Sequence, residues 1–180
     1  MGYPYAYRFS PLLMNEGNGR FVGRSAEAGI DPPFSGTNLP TKIGGRDAAR
    51  SSRSAATADF DGDGRLDLIV SNFNDRPFLL MNRWPKQNSH WLELRLVGNG
   101  TTSNRDAIGA LVKVRVGGRT LVRQVQTAGG YLARSSKTLH FGLGDAAAVD
   151  GVEIRWPDGS VVNFGHPPVD ALHVVKQAAR

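Results

Sequence analysis

Apolar and polar positions alternate along much of the second half of the chain. In Trp91-Leu92-Glu93-Leu94-Arg95-Leu96 the three leucines alternate with Glu93 and Arg95, the mark of a strand with one buried face. Val112, Val114 and Val116 alternate with Lys113 and Arg115 in the same way, and Gly117-Gly118 then turns the chain into a further strand over residues 120–125. Val152, Ile154 and Trp156 alternate with Glu153 and Arg155. Pro157-Asp158-Gly159 supplies the next turn, because Pro presets its backbone angle and Gly accepts a positive one. Ser160-Val161-Val162-Asn163-Phe164 is the return strand. Short strands joined by Gly-rich turns predict an antiparallel sandwich or barrel over residues 84–180.

Residues 1–83 are patterned differently. Asp67-Leu68-Ile69-Val70-Ser71 and Phe78-Leu79-Leu80-Met81 are short apolar runs, and the turn residues 72–77 between them predict a hairpin. Residues 37–54 are rich in Gly, Ser, Arg and Lys without periodicity and are expected to form a loop. Leu12-Leu13-Met14-Asn15 recurs as Leu79-Leu80-Met81-Asn82. The first copy runs into a polar Gly-rich turn and returns at Phe21, whereas the second departs through Trp84-Pro85. The first copy therefore reads as the end of one repeat unit and the second as the end of the last. No stretch carries a helical period, so the whole chain is expected to be all-β.

Composition sharpens this picture in three places. The 22 glycines and 10 prolines fit a chain of many turns. The absence of cysteine excludes a disulfide framework, a thiolate metal site and a Cys nucleophile. The formal charge of +6 is unevenly placed: residues 1–83 carry 10 basic and 9 acidic residues, and residues 84–180 carry 12 and 7. No apolar stretch reaches the roughly 20 residues of a membrane span. Met1-Gly2-Tyr3-Pro4-Tyr5 lacks the basic and apolar regions of a signal peptide.

The chemistry concentrates in Asp59-Phe60-Asp61-Gly62-Asp63-Gly64-Arg65-Leu66-Asp67. Asp59, Asp61, Asp63 and Asp67 stand at positions 1, 3, 5 and 9 of a loop, and the carbonyl of Arg65 at position 7 adds an oxygen. Gly64 permits the sharp turn. Four carboxylates this close repel one another unless a cation neutralises them, and an all-oxygen set in a flexible loop suits Ca²⁺ better than Mg²⁺. An EF-hand requires a bidentate Glu at position 12, which here is Val70, and flanking helices in place of the Leu68-Ile69-Val70 strand. A calcium loop on a β-hairpin is therefore expected; a solvated Asp/Gly turn is the bland alternative.

The stretch from Ala58 to Val70 resembles the FG-GAP (VCBS-type) repeat of calcium-stabilised β-propellers. Residues 13–21, with Ala26-Glu27-Ala28-Gly29-Ile30 behind them, are similar to the linker between two such repeats. Asn104-Arg105-Asp106-Ala107-Ile108-Gly109-Ala110, Gly129-Gly130-Tyr131, His140-Phe141-Gly142-Leu143-Gly144 and Val152–Gly159 resemble the ASPIC/UnbV domain that follows such propellers. The combination is similar to the cartilage acidic protein/UnbV-like family. The resemblance implies partial propeller blades over residues 1–83, a β-sandwich over 84–180, and a structural calcium ion without a catalytic role. A propeller closes with at least four blades, so the chain is expected to be the C-terminal piece of a longer protein. Its signal peptide would lie upstream, and its place would be extracellular, cell-surface or periplasmic.

Other candidates carry less. His90, His140, His166 and His173 have no metal-ligand spacing and are expected to be structural. Ser135-Ser136 has no nucleophile-elbow context, and Gly142-Leu143-Gly144 is no nucleotide loop. Asn104, Arg105 and Asp106 form a polar loop that either binds a ligand or fixes itself by pairing. Lys113, Arg115, Arg119 and Arg123 are outward-facing, without the interleaved aromatics that stack nucleic-acid bases. The expected function is a non-enzymatic, calcium-binding interaction or adhesion module with an extracellular protein or polysaccharide as partner. The alternative is a carbohydrate-active or hydrolytic accessory domain that binds glycans, with carboxylates such as Asp106, Asp158 or Glu153 as acid and base.

Overall fold

The computed structural model describes residues 12–25, 27–29, 42–43, 46–47, 52–72 and 75–179. Met1–Tyr5, Ala26, Ile30, most of residues 37–51, and Phe73 and Asn74 of the predicted turn lie outside the described residues. Fourteen strands and no helix occur among the residues described. They are β1 Leu13–Gly17, β2 Arg20–Gly23, β3 Lys42–Ile43, β4 Arg46–Asp47, β5 Ser52–Ala58, β6 Asp67–Asn72 and β7 Asp75–Leu80. Then follow β8 His90–Val97, β9 Leu111–Val116, β10 Arg119–Gln124, β11 Leu139–Gly144, β12 Gly151–Arg155, β13 Val161–Gly165 and β14 Ala171–Lys176.

The chain is all-β. Within residues 84–180 a four-stranded sheet runs β10-β9-β12-β13 and a three-stranded sheet runs β11-β8-β14. Their inward positions are the alternating apolar residues of the sequence: Leu92, Leu94 and Leu96 on β8, Val112, Val114 and Val116 on β9, and Val152 and Ile154 on β12. Phe141 and Leu143 from β11 close the same core. Each such side chain contributes about 1.5–3 kcal/mol by leaving water, and together they fix the register, since a one-residue slip would expose every one. Gly117 and Gly118 both have positive φ (53° and 72°), which is what a two-residue hairpin between β9 and β10 requires.

Among the described residues the strands pair antiparallel with one exception: β14 lies parallel to β8, with Ala171 opposite Leu92 and Lys176 opposite Val97. The preceding strand, β13, belongs to the other sheet. The chain therefore crosses between sheets before β14 and enters beside β8 in the same direction.

In the first half, β5-β6-β7 form an antiparallel three-stranded sheet, and β1-β2 and β3-β4 are separate hairpins. The predicted hairpin is β6-β7, and the Gly-rich turn after the first Leu-Met-Asn copy joins β1 to β2 as expected. Residues 37–54 depart from the loop expectation, because β3, β4 and the start of β5 fall within them. β5 (Ser-Arg-Ser-Ala-Ala-Thr-Ala) is a strand without large apolar residues. It is held by its ladder to β6 and by Ser135 and Ser136, which bond the backbone of Thr57 at 3.2 and 2.9 Å.

Candidate metal centre

The Asp59–Asp67 loop joins β5 to β6, and its first turn is organised by Asp59. The Oδ1 of Asp59 accepts the amides of Gly62 and Asp63 (2.8 and 3.1 Å), and its Oδ2 accepts that of Gly64 (2.7 Å). Asp67 closes the other end. It is 1% exposed, and it accepts the amide of Phe60 at 2.9 Å and that of Asn82 at 2.8 Å. Hydrogen bonds to a charged acceptor are each worth about 1.5–3 kcal/mol, so the two carboxylates hold the loop's curl. Asn82 is the last residue of the second Leu-Leu-Met-Asn copy, and its side chain also reaches the Leu66 carbonyl at 3.3 Å.

Asp59, Asp61 and Asp67 each present a carboxylate oxygen within 4.8 Å of the others. At an effective dielectric near 20, each such pair repels by about 3 kcal/mol. A hard cation bound by oxygen ligands relieves that repulsion, and the donor set fits one. Asp63, the fourth expected carboxylate, lies outside this trio and pairs with the Arg65 guanidinium. Burial pushes the Asp63 carboxyl up, but hydrogen bonds from the Arg65 backbone and side chain outweigh it and hold it below the usual range. Arg83 sits across the loop mouth, 2.9 Å from Asp61 and 3.7 Å from Asp63. The Arg65 amide donates to Asp63 at 2.9 Å, and its side chain also reaches the Trp84 carbonyl at 3.0 Å.

The loop lies against the outer face of the three-stranded sheet. Nε2 of His140 on β11 donates to the carbonyl of Gly64 at 2.8 Å. Gly64 also faces the indole of Trp91 so closely that a Cβ would stand 2.0 Å from its Nε1. Trp91 and His140 are stacked, 6.3 Å apart and 7° from parallel. Lys86 bonds the carbonyl of Asp63 from the chain leading into β8. The consequence falls on Glu93. Strand alternation puts it on the outer face with Arg95, yet it is 7% exposed while Arg95 remains in solvent. Burial raises the Glu93 carboxyl above the usual range, and the charge of Asp59 adds to it. Sequence pattern could not show this, because what covers Glu93 comes from another part of the chain.

The remaining candidates each meet other parts of the chain. His90 pairs with Asp170 at 2.6 Å, and His166 and His173 bond the carbonyls of Val149 and Pro168. Asn104 brackets Ile108 through its amide and carbonyl (2.8 and 2.9 Å), and the stem of Arg105 lies over Gly100. Asp106 pairs with Lys137, whose hydrogen bond holds its carboxyl low. Glu153 pairs with Lys113 at 3.0 Å, and Asp158 bonds Thr102, Ser160 and Gln177. No helix of the described residues is long and apolar enough to cross a membrane.

Residues 52–74 match the family model described as FG-GAP repeat, which spans β5, the Asp loop and β6. Residues 100–180 match the model described as ASPIC and UnbV. Over 107 residues the chain is 34% identical to cartilage acidic protein 1 of Homo sapiens and 33% identical to that of Mus musculus, covering 58% of this chain in each case. The protein of the same name from Xenopus tropicalis is 32% identical over 108 residues. The matched part is 16% of the length of each of these relatives. The FG-GAP match implies that β5 and β6 belong to a propeller blade. The chain therefore carries an FG-GAP repeat followed by an ASPIC/UnbV domain.

Proposed function

We propose that this chain is a non-enzymatic, calcium-binding interaction or adhesion module of an extracellular, cell-surface or periplasmic protein. The observation that carries the reading is the convergence of the Asp59, Asp61 and Asp67 oxygens within 4.8 Å on the loop that joins β5 to β6. These three residues would hold the ion, with the Arg65 carbonyl and Asp63 as the further ligands the loop pattern suggests. When bound, Ca²⁺ would supply charge neutralisation and tie the two ends of the loop together. The ASPIC/UnbV domain beginning near residue 84 would then present the surface that meets a protein or polysaccharide. The matched domain types support the non-catalytic and extracellular parts of this reading. So does the engagement of Asp106, Asp158 and Glu153, the carboxylates a glycan hydrolase would need, in structural pairs.

Titration calorimetry with Ca²⁺ on the intact chain tests the metal. A saturable event near one ion per chain, weakened about tenfold in Asp61→Asn, is expected. No binding up to millimolar Ca²⁺ would overturn it.

A further inference from the structure

Where the Asp loop meets the three-stranded sheet, a cleft of about 370 Å³ remains. It is lined by Asp59 from the loop, Trp91 and Glu93 from β8, Ser136 and Thr138 from the segment before β11, and Leu172 from β14. The cleft meets the loop only at Asp59 and Gly62; Asp61 and Asp67 do not line it.

Glu93 is the unusual member. It is only 7% exposed, and its side chain has no hydrogen-bond or ion-pair partner among the described residues. The residues opposite it in the sheet do not relieve it. His140 is committed to the Gly64 carbonyl, and Leu172 is apolar. Asp170 at the cleft's edge is occupied by His90 and by the Trp91 amide at 3.1 Å. A carboxylate in so confined a place loses hydration that it regains only by being neutralised or paired, and this one opens into a space large enough for a ligand.

We propose that this cleft binds a single positive charge carried on a short aliphatic stem, the ammonium or guanidinium of a basic side chain from a partner protein, with Glu93 as its counter-ion. Charge and size both select this class over a second metal ion. With Ca²⁺ in the loop and Arg83 beside Asp61, the trio of aspartates is balanced, and Glu93 leaves one negative charge. The volume falls in the range of small-ligand pockets and exceeds what one ion needs. The lining is also amphipathic: Leu172 and the Trp91 indole suit methylenes, while Glu93 and the Ser136 and Thr138 hydroxyls suit N–H donors. The inference deepens the interaction-module reading and rests on it for the charge balance and for the nature of the partner.

The test follows the indole N–H resonance of Trp91 in ¹⁵N-labelled intact chain at saturating Ca²⁺. The probes are n-butylammonium and n-butylguanidinium, with n-pentanol as the neutral match. A saturable shift with either cation, absent with pentanol and at least tenfold weaker in Glu93→Gln, is expected. Thermal melting supplies the second measurement. Glu93→Gln should melt no lower than wild type without probe, since it removes an unpartnered charge, and should lose the probe-induced rise in Tm. No saturable shift, an equal shift in Glu93→Gln, or a response to excess Ca²⁺ that the organic cations do not share would overturn the proposal. Asp61→Asn keeps the two readings apart, because it weakens loop calcium without touching the cleft and should leave the probe response at equal or higher affinity, the Asp59 carboxylate that lines the cleft being then less neutralised.

Discussion

The Nε2 of His140 and the carbonyl oxygen of Gly64 stand 2.8 Å apart, and this bond ties the tightest turn of the acidic loop to β11. Gly64 itself lies so close to the Trp91 indole that no side chain fits between them. Loop and sheet are therefore packed as well as bonded, with glycine as the residue that permits both.

Gly64→Ala separates the two effects. At φ of +83° any side chain adds about 1–2 kcal/mol of backbone strain, and here the Cβ also meets the Trp91 ring. Gly62→Ala, at φ of +73° with open space around it, carries the strain alone. Thermal denaturation should therefore place Gly64→Ala well below Gly62→Ala. Equal melting temperatures would mean that the loop does not rest on Trp91.

His140→Leu removes the donor but keeps the bulk, leaving the Gly64 carbonyl to find water. A loss of about 1 kcal/mol is expected. It should appear in hydrogen exchange as faster opening of the Gly62, Asp63 and Gly64 amides, with the sandwich core unchanged.

The aspartates should divide in a calcium titration. Asp61→Asn should weaken Ca²⁺ on the order of tenfold, because affinity follows the number of charged ligands. Asp63→Asn should weaken it less, because the Asp63 carboxylate is held by Arg65 and lies apart from the converging trio. Equal losses would place Asp63 among the ligands on a par with Asp61.

A pH dependence follows from Asp170. The hydrogen bond from His90 holds its carboxyl below the usual range, with the Trp91 amide adding to the effect. A group whose folded pKa is depressed contributes stability above its unfolded value, about 3.9, and loses it as pH falls through the folded value. Asp170→Asn should therefore lower stability at pH 6 and converge on wild type as pH falls below the usual carboxylate range. The difference at pH 6 should be no more than about 1 kcal/mol, because nearly half the side chain is exposed.

Core and surface give a final contrast. Leu94→Ala, at a fully buried position, should cost about 2–5 kcal/mol in denaturant unfolding. Leu132→Ser, at 87% exposure, should stay within about 0.5 kcal/mol of wild type.

What could be read from the sequence was what alternation and turn chemistry encode locally. Val112, Val114 and Val116 announced β9 because every second residue is apolar, and Gly117-Gly118 announced its hairpin. The Asp59–Asp67 loop was legible because its carboxylate spacing is a property of one short segment. β5 was not, since Ser-Arg-Ser-Ala-Ala-Thr-Ala has no apolar face and owes its extended form to β6 and to Ser135 and Ser136. The parallel entry of β14 was equally silent, because strand direction in a sheet is decided by the path between sheets. Glu93 shows the same limit at the candidate site. Its alternation with leucine states which face it occupies, and only the chain folded over that face decides whether the face is wet.

The parallel partnership of β8 and β14 also bears on the order in which the molecule can be built. Leu92 faces Ala171 across that ladder, so one edge of β8 must wait until nearly all of the ASPIC/UnbV region has been synthesised. Pairings this distant in sequence form slowly, and an unpaired strand edge is a template for another chain. During translation the nascent sandwich presents that edge beside the very face the acidic loop will cover, so the interval before β14 emerges is when chaperone binding would guard it most effectively.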